Sequence, residues 1–205
     1  IGVGLVGSEM CIRDSYVYYA LLMITLYEVN ADKKALEKSI KIMNDTWELF
    51  FNKETQLFQK NIIKDNDLFA SPLDLNDSNI PNGNSVYLLI SNKLYSITND
   101  KIWSERNEVL KKSFHQVLNS YYSQMFSFIK TLDICDNSLS FTFSGTSHSI
   151  KEIQLYLQKE YLGVATFVYQ LNNDTKPSVI VCKNQTCSNK LTNINEAVEY
   201  LSKSY

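Results

Sequence analysis

The sequence predicts a mainly helical protein that ends in a small α/β unit. Three observations lead to this fold class. Apolar residues recur at three- and four-residue steps over residues 16–133, the pattern becomes strand-like after Cys135, and 205 residues suit one domain with an appendage. The predicted organisation is a separate segment at 1–15, helical hairpins over 16–135 and an α/β unit over 136–205.

Two helices and a short hairpin are predicted at the start of the helical part. The first helix begins at Tyr16 and ends before Asp32, where "NAD" breaks the apolar pattern. The second has a regular apolar stripe, spaced 4, 3, 4, 3, formed by Leu36, Ile40, Met43, Trp47 and Phe50. The stretch "FNKETQLFQKN" follows as a turn or hairpin.

Three further helices are predicted over residues 85–97, 101–119 and 122–133. Ile102 is expected on the inward face of the middle one, and Asn82 or Asn84 is expected to cap the first. Short breaks between these helices favour consecutive antiparallel pairs.

The residue pattern changes from helical to strand-like after Cys135. "SLSFTFSG" alternates like a strand, "SIKEIQLYLQKEYLG" is helical, "VATFVYQL" and "PSVIVCK" are β-branched runs, and "NINEAVEYLSKS" is a closing helix capped by Asn193 or Asn195. The predicted order is β-α-β-β-α.

Composition excludes several partners. The chain is 44% hydrophobic with a net charge of -2, so it has no strong positive field for nucleic acid or an anionic membrane. The longest apolar run, "YALLMITLY", is about half of a spanning helix. Four scattered cysteines and no recognisable signal peptide predict a reducing cytoplasm.

The first fifteen residues contain G-x-G-x-x-G at Gly2, Gly4 and Gly7, the spacing of a dinucleotide-binding turn. Only Ile1 precedes Gly2, so no strand presents this turn, and half of the six glycines fall here. "GSEMCIRDS" also resembles a read-through of a sequencing-library adapter. Residues 1–15 are therefore expected to be non-native and poorly packed, and the chain is expected to be the tail of a larger protein.

A polar loop before the third helix provides the first candidate site. Asp77, Asn82, Asn84 and Ser85 can present a carboxylate, amides and a hydroxyl to a polar ligand at a helix N-terminus. The alternative is that these side chains only complete turns and the helix cap.

Cys182 and Cys187 provide the second candidate. They are redox candidates, and the open alternatives are a reversible disulfide in a turn, two buried structural thiols or metal ligation. His115 and His148 show no matching metal-ligand spacing, so no metal or cofactor is predicted. Trp47 lies on the apolar stripe, which favours core packing over a sugar groove.

Three stretches together resemble one family: "YVYYALLMITLYE", "SPLDLNDSNIPNGNSV" and "VIVCKNQTCSNKLTNINEAVEYL". They are similar to the C-terminal portion of YyaL-like proteins, a group also known from spermatogenesis-associated protein 20. The second stretch resembles the family pattern P-x-x-x-x-D-x-x-x-P-S-G-N-S, with Asn82 in place of the usual Ser. The third resembles V-C-x-N-x-T-C.

This resemblance implies an α/α toroid of helical hairpins, similar to N-acylglucosamine 2-epimerases, of which this chain would hold a part. It also implies an N-terminal thioredoxin-like domain in the same protein. The implied functions are binding of a carbohydrate-like or other polar small ligand, a sugar epimerase or isomerase activity of the parent, or a redox or interaction role for Cys182 and Cys187. Neither His115 nor His148 maps onto an epimerase acid or base.

Overall fold

The computed structural model describes residues 12–60, 75–77, 79–161, 163–183 and 186–204. The chain divides into two compact units, one made of residues 1–92 and 101–131 and the other of residues 93–100 and 132–205. In the described residues of the first unit, the regular elements are helices and one short hairpin, and the second unit contains a four-stranded sheet. The predicted class, mainly α with a small α/β part, is confirmed.

The first unit opens with a helical hairpin. Helix α1 spans Ile12–Asn30 and α2 spans Lys33–Phe50. Ala31 turns the chain with a φ of 56°, and the Asp32 carboxylate caps α2 by accepting from the backbone N–H of Lys34 at 2.9 Å. The two helices then pack closely, and the buried Ser39 hydroxyl of α2 donates to the Ala20 carbonyl of α1 at 3.0 Å.

The remaining elements of this part follow the predicted order. Strands β1 (Phe51–Asn52) and β2 (Leu57–Phe58) form an antiparallel hairpin. Helices α3 (Gly83–Thr98), α4 (Lys101–Tyr121) and α5 (Phe126–Asn137) come next, with a short 3-10 turn at Tyr122–Gln124. The prediction for Ile102 is wrong: it is 37% exposed and Trp103 is buried instead. The difference is confined to the first turn of α4, because Leu110 and Phe114 farther along the predicted apolar face are fully buried.

The structure also differs from the prediction for residues 1–15. Residues 1–11 lie outside the described part, but residues 12–15 form the first turn of α1. Arg13 is fully buried and donates to the Phe58 carbonyl at 3.2 Å. The expectation of poor packing is therefore wrong for Arg13, whereas Ile12 and Ser15 are exposed.

The second unit is built around β3 (Leu139–Gly145). Helix α6 (Lys151–Glu160) connects β3 to the parallel strand β4 (Ala165–Leu171), and β5 (Ser178–Lys183) pairs antiparallel with the other edge of β3. A two-residue strand β6 (Thr186–Cys187) and helix α7 (Ile194–Ser204) complete the unit. The strand order is β4-β3-β5-β6, so the predicted β-α-β-β-α sequence is present with β6 added.

Alternation along the strands places the core of the second unit. Leu139, Phe141 and Phe143 of β3 are buried at every second position, and Val179 and Val181 of β5 are fully buried beside them. The end of α3 also belongs to this unit: the buried Lys93 ammonium donates to the Ala165 carbonyl at 2.7 Å.

The described residues contain neither a membrane-spanning helix nor a metal-binding group of side chains. None of the described helices is both long and apolar enough to span a membrane. No described group of three or more His, Cys, Asp or Glu side chains is placed to hold a metal ion.

Candidate functional site

The Asp77 carboxylate lies at the centre of a polar network in the first unit. It accepts from the backbone N–H of Ser127 at 2.6 Å and from the Ser127 hydroxyl. It also accepts from the backbone N–H of Asn82 at 2.9 Å. In the opposite direction, the Asp77 backbone N–H donates to the Gln124 carbonyl at 2.7 Å. The loop around Asp77 is thereby tied to the beginning of α5.

Asn82 and Asn84 extend this network to the hairpin. Oδ1 of Asn82 accepts from the backbone N–H of Asn84 at 2.9 Å, so Asn82 is the predicted cap of α3. The same oxygen accepts from Nδ2 of Asn84 at 3.1 Å. Oδ1 of Asn84 then accepts from the backbone N–H of Phe58 at 2.9 Å. One pair of amides therefore links the start of α3 to strand β2.

Burial separates the four predicted site residues into two groups. Asn82, Asn84 and Ser85 are 4%, 0% and 1% exposed, and their polar atoms bond within the protein. The Ser85 hydroxyl, for example, lies 2.9 Å from that of Ser127. Asp77 is only half-buried. The structure thus brings all four residues together, and of the four only Asp77 is partly exposed.

Two helix N-termini meet at this carboxylate. The Asn82 N–H precedes α3 and the Ser127 N–H lies in the first turn of α5, and both point at Asp77. The N-terminal end of a helix carries partial positive charge, so an anion there is stabilised by about 0.3–1 kcal/mol per helix. The position is therefore electrostatically suited to a negative group, which Asp77 supplies.

A tyrosine borders the network. The Tyr18 hydroxyl donates to the Pro81 carbonyl at 2.9 Å. Burial raises the pKa of Tyr18, and the nearby carboxylates of Asp14 and Asp77 raise it further. Tyr18, Asp77 and Ser127 therefore form the partly exposed edge of the network.

The second candidate lies at the edge of the sheet. Cys182 of β5 and Cys187 of β6 face each other in register and are joined by a disulfide. Cys182 is half-buried and Cys187 is exposed. The interpretation of two buried thiols is therefore wrong, and the disulfide alternative is the one present. Cys135 is half-buried and forms no disulfide with a described cysteine, and Cys11 lies outside the described residues.

The two histidines are not brought together as an acid and base pair within either unit. His115 is exposed on α4, and His148 is exposed in the turn after β3. His115 borders a surface depression lined by Glu108, Lys111, Lys112 and Gln116. All of these residues belong to α4, so among the described residues the depression lies along one helix face and gathers no groups from separate elements.

The sequence analysis missed a cluster around Arg106. Its guanidinium lies over the rings of Trp47 and Trp103, and Nη1 donates to Asn44 Oδ1 at 2.8 Å and to the Tyr87 hydroxyl at 3.2 Å. Burial raises the pKa of Tyr87, and the Arg106 charge opposes this shift. In the sequence, Arg106 is marked only by its position four residues before Leu110 on α4. That position does not identify its partners on α2 and α3.

Comparisons with known proteins add no family assignment. No protein-family model matches the chain, and no curated protein matches it.

Proposed function

We propose that the chain is part of a YyaL-like protein, with a thioredoxin-like domain elsewhere in the molecule and an α/α toroid to which these helices contribute. Three features support this proposal. The helical hairpins precede a β-α-β-β-α unit, the residues of the P-N-G-N-S stretch form one network, and the cysteines of V-C-x-N-x-T-C are bonded to each other.

The outer face of α1 is consistent with further helices in such a toroid. Tyr19, Leu22, Leu26 and Val29 are between 37% and 52% exposed and follow steps of three and four residues. A second apolar stripe on a helix whose first stripe is already buried suits packing on both sides. The genomic sequence upstream of residue 16 tests the proposal, since absence of a thioredoxin-like domain there would contradict it.

The proposed function of the helical part is binding of a carbohydrate-like or other polar small ligand at Tyr18, Asp77 and Ser127. Asp77 carries this proposal, because the residue is partly exposed and its carboxylate is held by N–H groups at two helix N-termini. A fixed carboxylate accepts from ligand hydroxyl groups without first having to be ordered. The Tyr18 ring beside it supplies the apolar surface that a sugar ring stacks on.

Isothermal titration of the full-length protein against a panel of neutral sugars and sugar acids tests this function. Asp77→Asn keeps the shape of the side chain and removes its charge, and we expect at least a tenfold loss of affinity for the ligand that binds. Asp136→Asn, an exposed change on α5, is the matched control. The proposal would be overturned if no ligand of the panel gave a binding heat. It would also be overturned if the wild type and Asp77→Asn bound the ligand with equal affinity.

A second candidate function is thiol–disulfide exchange by Cys182 and Cys187. The observation that favours it is that the two cysteines are already bonded, with Cys187 exposed to attack by another thiol. We place the protein in the cytoplasm, where glutathione and thioredoxin keep most thiols reduced, so a disulfide there is a transient or redox-sensing one.

Thiol trapping tests this second function. In a background with Cys11→Ser and Cys135→Ser, mass spectrometry counts the alkylated thiols after a mild dithiol or after mild peroxide. We expect two trapped thiols in the first sample and none in the second. A pair that stays oxidised with the dithiol, or reduced with peroxide, would contradict the proposal.

A further inference from the structure

Strand β5 has two edges with different partners. Its inner edge pairs with β3 over five residues, from Ser140↔Cys182 to Ser144↔Ser178. Its outer edge is covered by β6 and by the chain that follows, up to Leu191. We call residues 186–191 the edge cover.

The edge cover is attached by a few backbone contacts. The Ser188 N–H donates to the Val181 carbonyl at 2.8 Å, and the Val181 N–H donates to the Ser188 hydroxyl at 3.0 Å. Val179 and Leu191 exchange two bonds, with N–H to carbonyl distances of 2.8 and 3.0 Å. The pairing is interrupted between these points, because Asn189 and Lys190 have no register partner in β5.

Burial contributes little to this attachment. Thr186, Cys187, Asn189 and Lys190 are exposed, and Ser188 and Leu191 are only half-buried. By contrast, Val179 and Val181 beneath the cover are fully buried. β6 is a two-residue strand at the edge of the four-stranded sheet, so its backbone pairing is short and a covalent link adds to it. The Cys182–Cys187 bond is the covalent link here.

We infer that the Cys182–Cys187 disulfide is a redox latch that holds the edge cover on β5. This inference rests on the proposed thiol–disulfide exchange. Two molecules of a cellular thiol reduce the bond: the Cys182–Cys187 S–S bond breaks, each sulfur gains a proton, and the two reductant sulfurs form one disulfide. Release of the edge cover then exposes the outward N–H and C=O groups of Val179 and Val181, an unpaired strand edge.

The change is confined to one side of the strand. Alternate residues of β5 direct their backbone groups to opposite edges, so Ile180 faces β3 while Val179 and Val181 face the cover. The cap of α7 also lies outside the latch, since Asn193 Oδ1 accepts from the Glu196 N–H at 3.0 Å without help from β5. The sheet and α7 are therefore expected to persist when the cover opens.

Amide hydrogen exchange resolved by residue, on the full chain with Cys11→Ser and Cys135→Ser, tests the latch. On reduction with excess dithiol, we expect exchange at Val179, Val181, Ser188 and Leu191 to rise at least tenfold. Exchange at Ile180 should change less than twofold. Cys182→Ser/Cys187→Ser should reproduce the reduced pattern without any reductant.

The outcomes separate the latch from the exchange function. If trapping shows two thiols but exchange at the four outer amides is unchanged, the latch is wrong and the exchange function stands. If the bond resists reduction, the exchange function is wrong, and the double serine variant still tests the latch. Unchanged exchange in that variant, or an equal rise at Ile180, overturns the inference.

Discussion

The guanidinium carbon of Arg106 lies 4.9 Å from the centroid of the Trp47 ring, a contact that joins α4 to α2. Trp47 is also stacked on Phe51, with ring centroids 3.9 Å apart. Arg106 adds a second contact over Trp103 at 5.1 Å, and its Nε is buried without a hydrogen-bond partner. One half-buried cation therefore organises the junction of α2, α3, α4 and the hairpin.

Arg106→Ala should lower the free energy of unfolding by about 3 kcal/mol, because it removes two cation–π contacts and two hydrogen bonds from a charged donor. Arg106→Lys should cost about half as much, since lysine keeps the charge but not the planar fork. Urea denaturation followed by circular dichroism measures both, with exposed Lys112→Ala as the control. An equal loss of unfolding free energy in Arg106→Ala and Arg106→Lys would contradict the role of the planar guanidinium.

Asp77→Asn should destabilise the first unit by about 2 kcal/mol. The neutral amide loses the charge-assisted bonds from the Ser127 N–H and hydroxyl and the favourable field of two helix N-termini. Thermal unfolding of Asp77→Asn beside Asp136→Asn measures the difference. A destabilisation no larger than that of the control would show that the network does not depend on the charge.

The pKa of Glu196 lies below its ordinary value, chiefly because the Thr192 backbone N–H donates to its carboxylate at 2.6 Å. The folded state therefore binds this proton more weakly than the unfolded chain. The stabilisation is present at neutral pH and is lost as the pH falls below the ordinary pKa of a glutamate and through the lowered one.

We therefore expect the first turn of α7 to loosen in acid. NMR shifts of the Thr192 and Glu196 amides across a pH titration would follow this change. Glu196→Gln should abolish the pH dependence at Thr192, and Glu152→Gln on α6 should leave it intact. A Thr192 titration that survives Glu196→Gln would assign the effect to another group.

Gly145→Ala should destabilise the second unit by roughly 2 kcal/mol. Gly145 ends β3 with a φ of 140°, a conformation that L side chains rarely adopt. An added Cβ would also lie 2.8 Å from the Ser149 hydroxyl and 3.1 Å from Cγ2 of Ile150. Urea unfolding of Gly145→Ala, with Ser144→Ala as the control, checks this. An unchanged free energy of unfolding for Gly145→Ala would mean that the turn relaxes freely.

The sequence predicted what depends on local pattern. Helix α2, the strand alternation of β3 and the caps at Asn82 and Asn193 all require only neighbouring residues, and all are present. Of the predicted α2 stripe, Met43 and Phe50 are buried, whereas Leu36, Ile40 and Trp47 are only half-buried. Only the start of the inward face of α4 was misplaced, at Ile102 instead of Trp103, because an apolar period alone leaves the rotation of a helix uncertain by about one residue.

What the sequence did not predict depends on distant partners. Asp77 and Ser127 are 50 residues apart, and Arg106 and Asn44 are 62 apart, so no window of sequence contains either pair. The loop cluster at Asp77 was found, but its internal pairing was not. Whether a polar side chain meets a ligand or another residue is decided by packing, which becomes visible only when the elements are assembled.

The bond from Lys93 to Ala165 has a consequence for the order of folding during synthesis. The sheet pairs residues 139–183, so its strands can meet as soon as that stretch has left the ribosome. Lys93 emerges 72 residues before the carbonyl that it finally contacts. The bond can therefore form only after β4 has been made, which makes it a late step in assembly.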